Sequence, residues 1–146
     1  MGLTMAEKVF SRCFGSEVKA GNYVVVPVDK AMCHEGFLLS CIKLMTAGIE
    51  KIWDPRRVVV ILDHYVPSPN VGMAEGHSQI RKMVEKYGVP HFYGEREGIC
   101  HQVMVEKGHV KPGELIVGTD SHTGTYGALG AGATGIGTSE MAYVLA

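Results

Sequence analysis

The run Val58-Val59-Val60-Ile61-Leu62, followed at once by Asp63-His64, decides the fold. Five apolar residues in a row, mostly β-branched, spell a strand with no polar face, as in a sheet covered by helices on both sides. The neighbouring sequence alternates accordingly. Downstream, residues 70–86 predict an amphipathic helix stopped by Gly88, residues 89–93 a short strand, and residues 99–107 a helix stopped by Gly108. Residues 114–117 predict a further strand that runs into Gly118-Thr119-Asp120-Ser121-His122. Upstream, Phe37, Leu38, Cys41, Ile42, Leu44 and Met45 recur at helical spacing before Gly48, and Val24-Val25-Val26 before Pro27 reads as a brief strand. Thr4 with Glu7 is a capping box for a first helix that Gly15 closes. The fold class is therefore α/β, with a mostly parallel sheet and helices on both faces. Thr138-Ser139-Glu140 opens a last helix with no closing signal before Ala146, so residues 1–146 are expected to be one incomplete domain of a longer chain.

Composition narrows the function classes. With 46% hydrophobic residues in 146, the chain can bury a core without disulfides or a structural metal. Lys and Arg number 14 against 15 Asp and Glu, for a net charge of −1, so neither nucleic acid nor an anionic membrane is an expected partner. No stretch approaches 18 uncharged apolar residues and the first residues lack a leader pattern, which predicts a soluble, cytoplasmic protein. Cys13, Cys33, Cys41 and Cys100 form no C-x-x-C pair, so reduced, buried thiols are expected and no metal ligand is assigned to this chain.

The chemistry is concentrated where strands end. Ligands of parallel α/β sheets bind outside the carboxyl ends of strands, and two strands here end in similar words, Asp63-His64 and Asp120-Ser121-His122. An Asp that accepts from a His fixes the imidazole tautomer and raises its basicity, as proton transfer near neutral pH requires. Asp, Ser and Thr are also ordinary turn residues, and it is the repetition at equivalent positions that favours a site. His101 stands at the start of the predicted helix 99–107, and Cys33-His34-Glu35 precedes the helix 37–47. Gly130-Ala131-Gly132-Ala133-Thr134-Gly135 satisfies G-x-G-x-x-G but follows no strand directly and has no acidic residue about 20 positions on, so close backbone packing is the expected role of these glycines. Two other readings stay open on residues alone. One is a metal-dependent hydrolase built on His64, His101, Asp120 and His122, which lacks an H-E-x-x-H motif; the other is a non-catalytic binding or assembly module.

The segment GICHQVMVEKGHVKPGELIVGTDSHTGTYGALGAGATGIGTSEMAYVLA, residues 98–146, together with ILDHYVPSPN, residues 61–70, resembles the first domain of the aconitase superfamily. The wording is most similar to the large subunits of its isopropylmalate, homoaconitate and alkylmalate dehydratase branch, and the likeness runs from Met5 to Ala146. The resemblance implies a hydro-lyase that moves a hydroxyl between adjacent carbons of a 2-hydroxy di- or tricarboxylate, in leucine biosynthesis if the substrate is isopropylmalate. It implies a [4Fe-4S] cluster as Lewis acid, with its three cysteines beyond this sequence, so that residues 1–146 alone would bind no cluster and be inactive. By the same resemblance, Asp63 and His64 protonate the departing hydroxyl, while His101, Asp120, Ser121 and His122 line the cluster pocket and orient substrate. His34 and Glu35 match a substrate-contact position. The base that takes the carbon-bound proton is implied to be a Ser on a separate swivelling domain or small subunit. An oligomer is expected, since an incomplete domain exposes apolar surface.

Overall fold

A computed structural model describes residues 2–146. The elements in order are α1 (Met5–Phe14), β1 (Lys30–Cys33), α2 (Gly36–Thr46), β2 (Val58–Ile61), α3 (Val71–Tyr87), β3 (His91–Tyr93), α4 (Cys100–Glu106), β4 (Leu115–Gly118), β5 (Gly132–Gly135) and α5 (Thr138–Leu145). The five strands form one sheet in the order β3-β2-β1-β4-β5, and every pairing is parallel. The period-two alternation of strands splits the core in two. Ala31, Cys33, Val58 and Val60 pack with Phe37, Cys41 and Leu44 of α2, Ile80 of α3 and Met141 and Leu145 of α5. Met32, Val59, Ile61 and Ile116 point the other way, to Val103 and Met104 of α4 and to Tyr126. Both faces are thus covered, which is what the unbroken apolar run of β2 requires.

The direction in which strands are added to the sheet reverses between β1 and β4. Strands added in one sense from β1 give β2 and β3, and those added in the other give β4 and β5. A crevice opens at such a switch point, because the connections leave the two central strands on opposite faces of the sheet. The loops after β1, β2 and β4 therefore adjoin at the carboxyl edge, as the two similar strand endings predict.

Several local expectations hold. Thr4 and Glu7 form the capping box of α1, Asn70 caps α3, and Gly88 ends α3. Two do not. Val24-Val25-Val26 is not a strand: Tyr23 is 102% and Val25 95% exposed, and without a neighbour to pair with, β-propensity has nothing to act on. The central strand is instead Lys30–Cys33, whose Ala31, Met32 and Cys33 are fully buried between β2 and β4. The glycine-rich stretch forms a 3-10 segment, Ser121–Leu129, and then edge strand β5. A Cβ at Gly132 would stand 2.9 Å from Val9 Cγ1, and one at Gly135 only 2.6 Å from the Asp120 carbonyl oxygen. Gly132 and Gly135 thus serve close packing, the latter directly beneath the Asp120 loop, while Gly130 caps the 3-10 segment in the left-handed conformation at φ 79°.

Candidate active site

Loop ends bring carboxylates and imidazoles together. Asp63 leaves β2 with one oxygen, Oδ2, accepting the backbone N–H of Cys100 at 2.7 Å, which ties the carboxylate to the first residue of α4. Its other oxygen, Oδ1, lies 2.6 Å from His64 Nδ1. His64 Nε2 in turn lies 3.3 Å from Asp120 Oδ2, across the gap between the β2 and β4 loops. Asp120 Oδ1 accepts the backbone N–H of His122 at 2.8 Å and sits 2.6 Å from His101 Nε2. The far nitrogen of His101 meets the buried Tyr126 hydroxyl at 3.0 Å. The result is a continuous line, Asp63, His64, Asp120, His101, Tyr126, assembled from the ends of two strands, a helix start and a 3-10 segment.

A second layer lies behind His64. His34 stacks on its ring, with centroids 4.2 Å apart and planes inclined by 19°. The His34 ring is fixed at both nitrogens, since Nδ1 accepts the Gly36 N–H at 3.2 Å and Nε2 donates to the Thr119 carbonyl at 3.0 Å. Glu35 places Oε2 3.5 Å from His34 Nδ1 and 4.0 Å from His64 Nδ1. Ser121 stands at the exposed rim, where its Oγ approaches His122 Nδ1 at 3.3 Å. All eight residues singled out in the sequence thus lie on one edge of the sheet.

The charges follow from these contacts. Burial disfavours the imidazolium of His64, but the hydrogen bond and charge of Asp63, helped by Glu35 and Asp120, outweigh it and raise the pKa above the ordinary histidine value. Burial also pushes Asp120 upward, yet the His122 N–H and the imidazoles of His101 and His64 hold it at about 2. Glu35, opposed by burial in the same way, is held at about 2 by His34 and by backbone N–H groups including that of Tyr65. His64 is therefore biased toward its protonated form, flanked by carboxylates and partly open to solvent, with 38% of its side chain exposed. Such a group can deliver a proton to a leaving oxygen and take it back.

The thiols occupy different places. Cys33 and Cys41 belong to one half of the core and Cys100 to the other, while Cys13 lies beside Asp29 on the α1 side. Burial raises all four thiol pKa values, that of Cys41 to about 12. Among the described residues, the converging donor groups are His34-Glu35-His64, Asp63-His64-Cys100 and His101-Asp120-His122, and none holds more than one cysteine. A [4Fe-4S] cluster, which takes about three thiolates, does not fit on the thiols of this chain.

Sequence reasoning missed His77, which packs behind Glu35, and Tyr126, which ends the line through His101. Tyr126 sits in a glycine-rich segment with no readable period. His77 takes its place in an apolar stripe with Ile80 and Tyr87 and so reads as a core position.

A parallel α/β domain with acid–imidazole pairs at its switch point, and glycines packed against the loop that carries one of them, defines a class that the sequence places unambiguously. A model of the aconitase family (aconitate hydratase) matches residues 7–146, and the chain belongs to that family. Over its whole length it is 52% identical to the 3-isopropylmalate dehydratase large subunit 1 of Methanopyrus kandleri. It is 49% identical to a probable 3-isopropylmalate dehydratase large subunit of Methanothermobacter thermautotrophicus. A probable methanogen homoaconitase large subunit of the same organism is 41% identical over 99% of the chain. The chain spans about a third of the length of these relatives, 35% in each case. Among the described residues, no helix is long and apolar enough to cross a membrane.

Proposed function

We propose that residues 1–146 form the N-terminal α/β domain of an aconitase-type hydro-lyase large subunit that dehydrates and rehydrates a 2-hydroxy di- or tricarboxylate, with 3-isopropylmalate as substrate. The observation that carries this reading is His64 held between Asp63 and Asp120, with His101 on the other oxygen of Asp120. The names of the relatives favour isopropylmalate, and the homoaconitase relative at lower identity makes homoaconitate hydratase the second reading.

Dehydration breaks a C–O bond on one carbon and a C–H bond on its neighbour. Hydroxide is a poor leaving group, so the departing oxygen needs a proton as the bond breaks. His64 supplies it: Asp63 fixes Nδ1–H, which leaves Nε2–H as the mobile proton beside Asp120. In the reverse direction neutral His64 takes a proton from water at the same atom. Ser121 and His122 offer donors to substrate oxygens at the rim, His101, engaged at both ring nitrogens by Asp120 and Tyr126, holds Asp120 in place, and Glu35 acts through His34, because an ionised carboxylate repels a substrate carboxylate. The [4Fe-4S] cluster that the family implies would supply Lewis acidity when bound, on thiolates outside this sequence. The carbon base is assigned to a small-subunit partner.

The test is to co-express the reading frame that contains this sequence with its small-subunit partner, reconstitute it anaerobically, and follow alkene formation from 3-isopropylmalate, homocitrate and citrate. Turnover of isopropylmalate at the highest kcat/KM is expected. Failure to turn over any of the three defeats the proposal.

A further inference from the structure

His77 is the first inward residue of α3 and shares its face with Ile80 and Tyr87, where helical spacing would ordinarily place another apolar side chain. Only 4% of its side chain is exposed. A buried imidazole is costly unless its nitrogens find partners. On one side Nδ1 meets Ser68 Oγ at 3.1 Å and Glu95 Oε1 at 3.4 Å, and Glu95 is itself clasped by Arg81 at 2.5 Å. On the other side Nε2 stands 3.4 Å from Glu35 Oε1, off the hydrogen-bond line, and has no other partner. Glu35 Oε2 is likewise buried with no hydrogen bond.

Glu35 reaches further than His77. Its Oε1 accepts the backbone N–H of Tyr65 at 3.1 Å, directly after His64, and its Oε2 faces the stacked rings of His34 and His64. The groups facing Glu35 are thus His34, His64, the Tyr65 amide and, from α3, His77; behind His77 stand Ser68, Glu95 and Arg81. Of these, only His77 pushes on the carboxylate from the side away from the catalytic line.

We propose that His77 is a positioning residue: anchored by Ser68 and Glu95, it braces the Glu35 carboxylate so that Oε1 holds the Tyr65 backbone and Oε2 faces the His34–His64 stack. The general acid is then set from two sides, by Asp63 directly and by His77 through Glu35. The meaning for catalysis rests on the proposed function, but the bracing itself does not. Without it, the Glu35 carboxylate loses its support on the α3 side and its hold on the Tyr65 amide loosens.

The test uses the full reading frame that contains this sequence, without substrate, so its failure is distinguishable from failure of the hydro-lyase reading, which needs turnover. Two-dimensional NMR of the labelled chain follows the Tyr65 amide and the ring protons of His34 and His64. In His77→Leu, amide exchange at Tyr65 is expected to rise at least about tenfold, and the stacking-induced shifts of the His34 and His64 rings to collapse. The Val59 and Val60 amides of β2 should stay as they are, and His77→Gln, which keeps a donor in place, should restore most of the Tyr65 protection. A folded His77→Leu chain with unchanged Tyr65 exchange and unchanged ring shifts overturns the proposal. If His77→Leu loses the dispersed β2 signals, the double variant Ser68→Ala/Glu95→Gln is read instead: a Tyr65 exchange increase supports the bracing, and no increase overturns it.

Discussion

At the carboxyl edge of the sheet, His64 lies among Asp63, Asp120 and Glu35; away from it, His91 and His109 pack edge to face at 4.7 Å within reach of the Lys30 charge. The first environment raises an imidazole pKa and the second lowers it. Burial and then the charges of His91 and Lys30 press His109 down to about 4, and its Nε2 accepts the Tyr93 hydroxyl at 2.7 Å. One ring is pushed toward its protonated form among carboxylates, the other is a neutral acceptor built into the core. The residue type is the same, and the sign of the neighbouring charge decides which it becomes.

The largest expected effect tests the first half of that contrast. In the assembled full-length enzyme, His64→Ala should lower kcat by roughly 10²–10⁴-fold with little change in KM, because a general acid contributes mainly in the transition state. Asp63→Asn should lower kcat in the same sense but less, and should shift the alkaline limb of the kcat profile to lower pH, since His64 loses its strongest stabilising partner. Ser121→Ala should act chiefly on KM, as a donor to a carboxylate serves ground and transition states alike. Steady-state kinetics at matched cluster content separates the three. Wild-type kcat in His64→Ala moves the acid role to His101 or His122.

A smaller effect concerns the packing that holds the Asp120 arm of the site. Gly135→Ala should destabilise the chain by about 1–3 kcal/mol, because the new methyl would be driven against the Asp120 carbonyl oxygen and Ser121 Cα, which are backbone and cannot swing aside. Gly76→Ala serves as the control, since a Cβ there meets nothing within 4 Å, and in a helix interior it should be neutral or stabilising. Chemical denaturation of both variants reads the difference. Equal midpoints would show that the loop can yield and that the close approach does not constrain Asp120.

How much of this was legible follows from which physics speaks locally. The apolar run of β2, the capping box at Thr4 and the stop at Gly88 are written in adjacent residues, and the sequence predicts them at or near their observed ends. The repeated strand endings, with the parallel-sheet rule, also foretold that Asp63-His64 and Asp120-Ser121-His122 would share an edge. β1 was hidden because Lys30-Ala31-Met32-Cys33 has little strand character and is made a strand by β2 and β4 on either side. The valines at 24–26, with Val25 exposed, are the converse, propensity without partners. His77 could not be found for a related reason: its meaning lies in Glu35, 42 positions away by number, and only the fold brings them to 3.4 Å.

The second half of the contrast predicts a pH dependence of stability whose sign differs between the two histidine groups. His109 has a folded pKa of about 4 against an ordinary value of about 6.5, so between these limits the unfolded chain binds the extra proton and stability falls as pH falls. His64 has a raised folded pKa, so its contribution is fully present below the ordinary value and is lost as pH rises through the folded one. Acidification from pH 7 to pH 5 should therefore cost about 1–2 kcal/mol through His109, a few degrees in Tm for a domain of this size, partly offset by His64. Thermal melts of the wild type, His109→Gln and His64→Gln at both pH values measure each part. His109→Gln should flatten the loss, since glutamine keeps a polar contact to Tyr93 but does not titrate, and His64→Gln should steepen it by removing the opposing contribution. A wild-type slope retained in His109→Gln would place the acid-sensitive group elsewhere and break the opposition between the two clusters.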